Sequence, residues 1–228
     1  MRTLCILIGA AVVLSSTSLT LRAQTKDSPQ TLMLQPGKLL VSEDLSQAFG
    51  KEWFGKPGKW AVVDGVMRGA ELPSDMHAGV RRREVKFTSA IVQFQFRLEG
   101  AKIMSLSMNG EKGHVCRVRV STDGFVALRD KDKKKNDPPV VLEKNDVKIE
   151  PKVWHTLVVE MAGKEMLARL DGKQVAYGAN DGLTALKTSV GFTVSGDAVS
   201  FKELRVYEGT PLKSWEETKA KLVAERKK

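Results

Sequence analysis

The chain has 228 residues, 42% of them hydrophobic and 28% charged, with 37 lysines and arginines against 27 aspartates and glutamates. That balance is too apolar for a disordered polymer, and the length suits one large all-β domain more simply than two small ones. Two cysteines, one of them Cys5 inside the apolar opening segment, leave Cys116 alone in the remainder, which excludes an internal disulfide framework and a cysteine metal cluster.

The opening has the three-part grammar of a secretory leader: Arg2, an apolar run from Leu4 to Leu14, and Leu21-Arg22-Ala23 before Gln24. A cut after Ala23 is expected, and the apolar run is too short to span a bilayer. Loss of Arg2 and Arg22 takes 37 bases to 35 against 27 acids, a net charge of +8. For an exported bacterial protein, periplasmic or extracellular, that charge favours an anionic polysaccharide or envelope polymer over nucleic acid, with no membrane insertion once the leader is gone. Residues 24–37, with Pro29, Pro36 and Gly37, read as a linker, 38–208 as the folded body and 209–228 as a C-terminal helical segment.

The body is punctuated by Asp64-Gly65, Asn109-Gly110, Asp123-Gly124, Asp171-Gly172, Asp181-Gly182 and Ser195-Gly196, pairs that supply the positive φ of tight hairpins. In chain order the segments between them predict strands at 59–63, 66–69, 91–98, 103–109, 115–121, 125–129, 154–161, 165–170, 173–177, 188–194 and 199–207. Val92, Phe94, Phe96 and Leu98 alternate with Gln93, Gln95 and Arg97; Met104, Leu106 and Met108 with Ser105, Ser107 and Asn109; Cys116, Val118 and Val120 with Arg117, Arg119 and Ser121. Such a count suits a sandwich of two antiparallel sheets. The run from Arg129 to Pro139 reads as a protruding, solvated, charged loop, or more sharply as a basic finger. Ser214 and Glu217 form a capping-box pattern ahead of a helix at 214–226, with Trp215 and Leu222 on one face.

The run Trp60-Ala-Val-Val-Asp64-Gly65-Val-Met-Arg-Gly69, then Phe94-Gln-Phe-Arg97-Leu98, Trp154-His-Thr-Leu-Val-Val-Glu160, Leu170-Asp171-Gly172-Lys173 and Val199-Ser-Phe201-Lys-Glu-Leu204-Arg-Val206, resembles the 3-keto-disaccharide hydrolase domain family across residues 40–208. The resemblance implies a concanavalin A-like jelly roll, related to laminarin-type lectin modules and family 16 glycoside hydrolases, and a carbohydrate-directed role. Acids of better-known members fall where this chain has Gln95 and Val115, and the family 16 signature Glu-x-Asp-x-x-Glu is absent. Glycoside cleavage ordinarily takes two carboxyl groups, so binding is expected ahead of cleavage.

If the three alternating strands are neighbours, Gln93, Gln95, Arg97, Ser105, Ser107, Asn109, Arg117 and Arg119 make one polar field. Its amides, hydroxyls and guanidinium groups are the donors and acceptors that sugar hydroxyls and acidic substituents require. The weaker catalytic candidates are Glu71, His77, Glu84 and His114. Asp75 and Glu99 are further acids for a divergent hydrolase, and Arg81, Arg82 and Arg83 lie in the same loop-and-strand cluster as His77. An ordinary solvated sheet face, or a surface for protein assembly, is the competing reading. Trp53 is the aromatic considered for sugar stacking, while Trp60 and His155 read as core. No calcium loop, phosphate-cradling loop, nucleophile elbow or dinucleotide fingerprint is present, and neither metal, cofactor nor oligomeric state is specified by any motif.

Overall fold

The computed structural model describes residues 28–130 and 138–226; the segment expected to be a leader and residues 131–137 of the charged run lie outside them. The strands are β1 (Leu34–Glu43), β2 (Trp53–Phe54), β3 (Lys59–Val63), β4 (Val66–Ala70), β5 (Gly79–Phe87), β6 (Ala90–Gly110), β7 (Gly113–Ser121), β8 (Gly124–Arg129), β9 (Val140–Asn145), β10 (His155–Ala162), β11 (Glu165–Leu170), β12 (Gln174–Ala179) and β13 (Lys187–Pro211). One helix, α1 (Trp215–Glu225), follows. Among the described residues no helix is long and apolar enough to cross a membrane.

All pairings are antiparallel, and two long strands run through both layers. The first layer is ordered β12-β11-β10, the first half of β6, then the second half of β13, which pairs on its far side with β1 and β4, and β4 with β3. The second layer is ordered β9-β8-β7, the second half of β6, the first half of β13, β5 and β2. Segments that read as separate strands at 91–98 and 103–109, and at 188–194 and 199–207, are therefore single bent strands. The bend falls at Gly100 and at Ser195–Ala198, where the register slips repeatedly and Gly100 and Gly196 hold φ of 94° and 85°. Gly100 is required there, because a Cβ would come within 2.8 Å of the Asp197 carboxylate.

The alternation read from the sequence fills the space between the layers. Phe94, Phe96, Phe192 and Phe201 are fully enclosed, and Phe192 of the second layer lies 4.3 Å from Phe201 and 5.0 Å from Phe94 of the first, ring centre to ring centre. Each such ring contributes about 2 kcal/mol of apolar burial. Trp53, Trp60 and Phe49 close one side of this core.

A second, smaller core lies on the outer face of the first layer. Met33, Leu34, Ile91, Val158, Leu167 and Trp215 pack together there, bringing in segments from both ends of the described chain. Glu160, fully enclosed, accepts hydrogen bonds from the backbone N–H groups of Leu32, Met33 and Leu34 at 2.7–2.9 Å. Part of the expected linker is thus ordered structure, and β1 already begins at Leu34. Three turn signals act differently from their hairpin reading: Asp181-Gly182 opens a 3-10 turn, Ser195-Gly196 bends β13, and Asn109-Gly110 stays in the β6–β7 ladder without positive φ, the turn itself being made by Glu111 and Lys112. Helix α1 forms without the capping bond, Glu217 pairing instead with Lys221 at 2.7 Å.

Candidate functional site

The eight residues expected to form one polar field are divided between opposite sides of the molecule, because β6 turns over the rim between its halves. Gln93, Gln95 and Arg97 face outward from the first layer, where neighbours already occupy two of them. Gln95 Nε2 donates to Glu203 at 2.5 Å, and Arg97 binds Glu99 and covers the Trp154 ring at 4.9 Å, with Lys202 Nζ 4.4 Å from the same ring. Glu99 also takes Arg68 and the Ser200 hydroxyl, so burial's opposition to its charge is outweighed and its carboxyl is held below the usual range.

Ser105, Ser107, Asn109, Arg117 and Arg119 face outward from the second layer. Pairing registers extend a row across that face from Phe54 through Arg82, Gly191, Ser107 and Arg117 to Leu128. The serines and Asn109 are its floor, with exposures of 4%, 1% and 5%. Asn109 Nδ2 donates to Ser189 Oγ at 3.2 Å, while its Oδ1 lies 2.5 Å from His114 Nδ1. Arg117 is ion-paired at 2.5 Å with Asp130, whose side chain is nearly enclosed, and Arg119 stands exposed. Arg129 and Asp130 are therefore buried at the end of β8 rather than part of a solvated loop.

Arg82 is half-buried, and burial depresses its guanidinium pKa. Its stem crosses Gly191, where a Cβ would come within 2.8 Å of Arg82 Cγ and 3.2 Å of Ser107 Oγ. Its buried Nε has no hydrogen-bond partner among the described residues. Nothing in the sequence singles out Arg82 from its cluster except alternation along Arg81-Arg82-Arg83, which turns only the middle residue to this face. Trp53, expected as the stacking aromatic, is instead a core residue stacked near Phe192, because pairing with β5 turns it inward; its neighbour Phe54, 47% exposed, is the aromatic on the surface.

The acids Glu71 and Glu84 do not meet. Glu71 accepts from Gly196 N at 2.7 Å and Ser195 Oγ at 3.1 Å, bonds that hold its carboxyl below the ordinary range. Glu84 lies opposite Ser189, seven residues along β13 from Gly196; that is roughly 20 Å of strand, beyond the ~5–9.5 Å separation of glycosidase carboxyl pairs. Asp75 accepts from Gly58 N at 2.6 Å, and exposed His77 contacts its neighbour's carbonyl. The carboxyl that burial pushes up is Glu160, sealed beneath residues 32–34. His155 is a core histidine, held by Asp171 at 2.7 Å and the Glu150 carbonyl at 2.8 Å. Among the described residues no three histidine, cysteine, aspartate or glutamate side chains group as metal ligands.

Two antiparallel layers sharing long bent strands, with one outer face open and polar, define a concanavalin A-like jelly-roll sandwich. No family model and no curated protein matches the chain by sequence. Solved structures match it in fold. A carbohydrate binding module, CBM66 from Bacillus subtilis, superposes with a TM-score of 0.58 at 13% identity, covering 69% of this chain and 96% of that one. A Bacillus licheniformis beta-glucanase gives 0.54 at 10% identity over 76% of this chain and 100% of that one. A non-specific endo-beta-1,3(4)-glucanase of family GH16 gives 0.55 at 10% identity, covering 78% and 96%.

Proposed function

We propose that this is an exported carbohydrate-binding sandwich, a divergent relative of the 3-keto-disaccharide hydrolases, which holds a glycan on the outer face of its second layer without cleaving it. The observation that carries the reading is the composition of that face: a floor of Ser105, Ser107 and Asn109 set between Arg82 and Arg117, with Arg119, His114 and Phe54 around it. Guanidinium, amide and hydroxyl groups with one exposed ring suit sugar recognition.

Binding is favoured over hydrolysis by the acids. The positions that the resemblance gives to acids, Gln95 and Val115, lie in different layers, Gln95 facing outward and Val115 packed against the core. Asp130 is committed to Arg117. A general acid for glycoside cleavage needs a raised pKa and access to substrate, and Glu160 has the first without the second.

The test is a glycan array probed with the full chain after leader removal, with product analysis on every glycan retained. Retention without released sugar, weakened severalfold in Arg119→Ala, is expected. Product release abolished in Glu84→Gln would make the protein a divergent hydrolase instead, and retention on no glycan would favour an assembly role.

A further inference from the structure

We propose that Arg82 is the centre of an oxyanion subsite that takes the carboxylate of a uronate residue or the sulfate ester of a saccharide. The proposal rests on the reading of the second layer's outer face as glycan-binding and adds the charge of the ligand.

Three successive arginines in β5 have different surroundings. Arg81 donates to the Gly55 carbonyl and lies over the Phe49 and Trp60 rings at 5.8 and 5.9 Å. Arg83 is held by Glu43 at 2.8 Å and donates to the Glu84 carbonyl at 2.7 Å. Arg82 pairs with no carboxylate among the described residues, and its Nε is buried without an acceptor. A half-buried cation in that state is poised for an acceptor from outside the chain, since buried donors are nearly always satisfied.

The backbone beneath it is shaped to hold it. Gly191 lacks the Cβ that would collide with Arg82 Cγ at 2.8 Å, so the arginine stem lies flat in a trough beside Ser107. Within that row Arg117 is neutralised by Asp130, so Arg82 is the arginine of the row that has no carboxylate partner among the described residues. On its other side Phe54 is its direct partner in register, about 5 Å away across the strand spacing, a separation that lets one sugar ring rest on Phe54 while its acidic substituent meets the guanidinium fork.

Calorimetric titration of the full chain after leader removal tests this with trigalacturonate, a neutral galactose trisaccharide, a sulfated disaccharide, inorganic sulfate and free glucuronate. The wild type is compared with Arg82→Gln and with Gly191→Val, which displaces the arginine without removing it. The expected result is preference for an acidic saccharide over the neutral one by about tenfold or more, lost in both variants, while thermal unfolding of Arg82→Gln is little changed; Gly191→Val, which also crowds the Arg81 carbonyl, is read by binding at a temperature where it is folded. Whichever acidic probe binds identifies carboxylate or sulfate as the substituent. Equal binding of neutral and acidic trisaccharides, undiminished in Arg82→Gln, would overturn the subsite and leave the carbohydrate reading intact. Arg82-dependent binding of sulfate or glucuronate with no gain from a longer saccharide would keep an anion site and overturn its glycan role, and silence from every probe would overturn both.

Discussion

Gly196 meets Glu71 where β13 turns over the rim, and its backbone conformation and close approach to β6 explain why a glycine is placed there. Gly196 holds φ of 85°, and a Cβ would come within 3.0 Å of the Lys102 backbone nitrogen in β6. Alanine at this position must both keep a left-handed backbone and push on the neighbouring strand, at a cost of about 1–3 kcal/mol. Gly163 is the internal control, with φ of 54° and open space for 4 Å around the point a Cβ would occupy. Thermal unfolding of Gly196→Ala should fall several degrees further than that of Gly163→Ala; equal losses would mean that the close approach to β6 contributes nothing. The Ser195-Gly196 pair is legible in the sequence as a place where the chain turns. A local signal of positive φ does not distinguish a hairpin from a strand bending between layers. Trp53 and Phe54 show the same limit, since alternation says that one is inside, and pairing with β5 decides which.

Helix α1 depends on one carboxylate of β11. Glu165 accepts from Trp215 Nε1 at 3.0 Å, from Lys219 Nζ at 3.1 Å and from the Tyr177 hydroxyl. Burial opposes its ionisation, but the hydrogen bonds from Tyr177, Trp215 and Lys219 outweigh that and hold the pKa below its ordinary 4.5. Because the folded value is depressed, the stabilisation is fully present above pH 4.5, the unfolded value, and is lost as pH falls through the folded one. Hydrogen bonds to a charged group are worth on the order of 1–3 kcal/mol, enough to loosen a short helix otherwise held by the packing of Trp215 and Leu222 and by the ion pair of Arg226 with Glu143. Acid titration should therefore give a fluorescence transition below pH 4.5 that Trp215→Phe removes and Glu165→Gln makes pH-independent; a transition unchanged in Glu165→Gln would assign it to another group. At this scale the strands are largely legible from period-two alternation. Their assignment to layers is not: Gln95 and Ser107 alternate identically along one strand, and only the bend at Gly100 sends them to opposite faces.

Because β6 and β13 each belong to both layers and pair with each other in both, the two sheets are joined over the rim by continuous hydrogen-bonded strands. Cys116 lies where this property is measurable. It sits in β7 of the second layer, fully buried, with its Sγ 3.8 Å from the Met161 sulfur in β10 of the first. Burial pushes its thiol up to about 12, against a smaller opposing pull from the charge of Lys187. The thiolate is the reactive form, so at pH 8 the native thiol is both inaccessible and almost entirely protonated. Labelling with an aromatic disulfide must wait for an opening that parts the layers. If the continuous strands make the sandwich one cooperative unit, the opening free energy from labelling should decrease with denaturant at the same slope as global unfolding followed by tryptophan fluorescence. A clearly shallower slope would mean that the β7-β8-β9 flank peels from the first layer while the rest stays folded, and the shared strands would then not couple the whole sandwich.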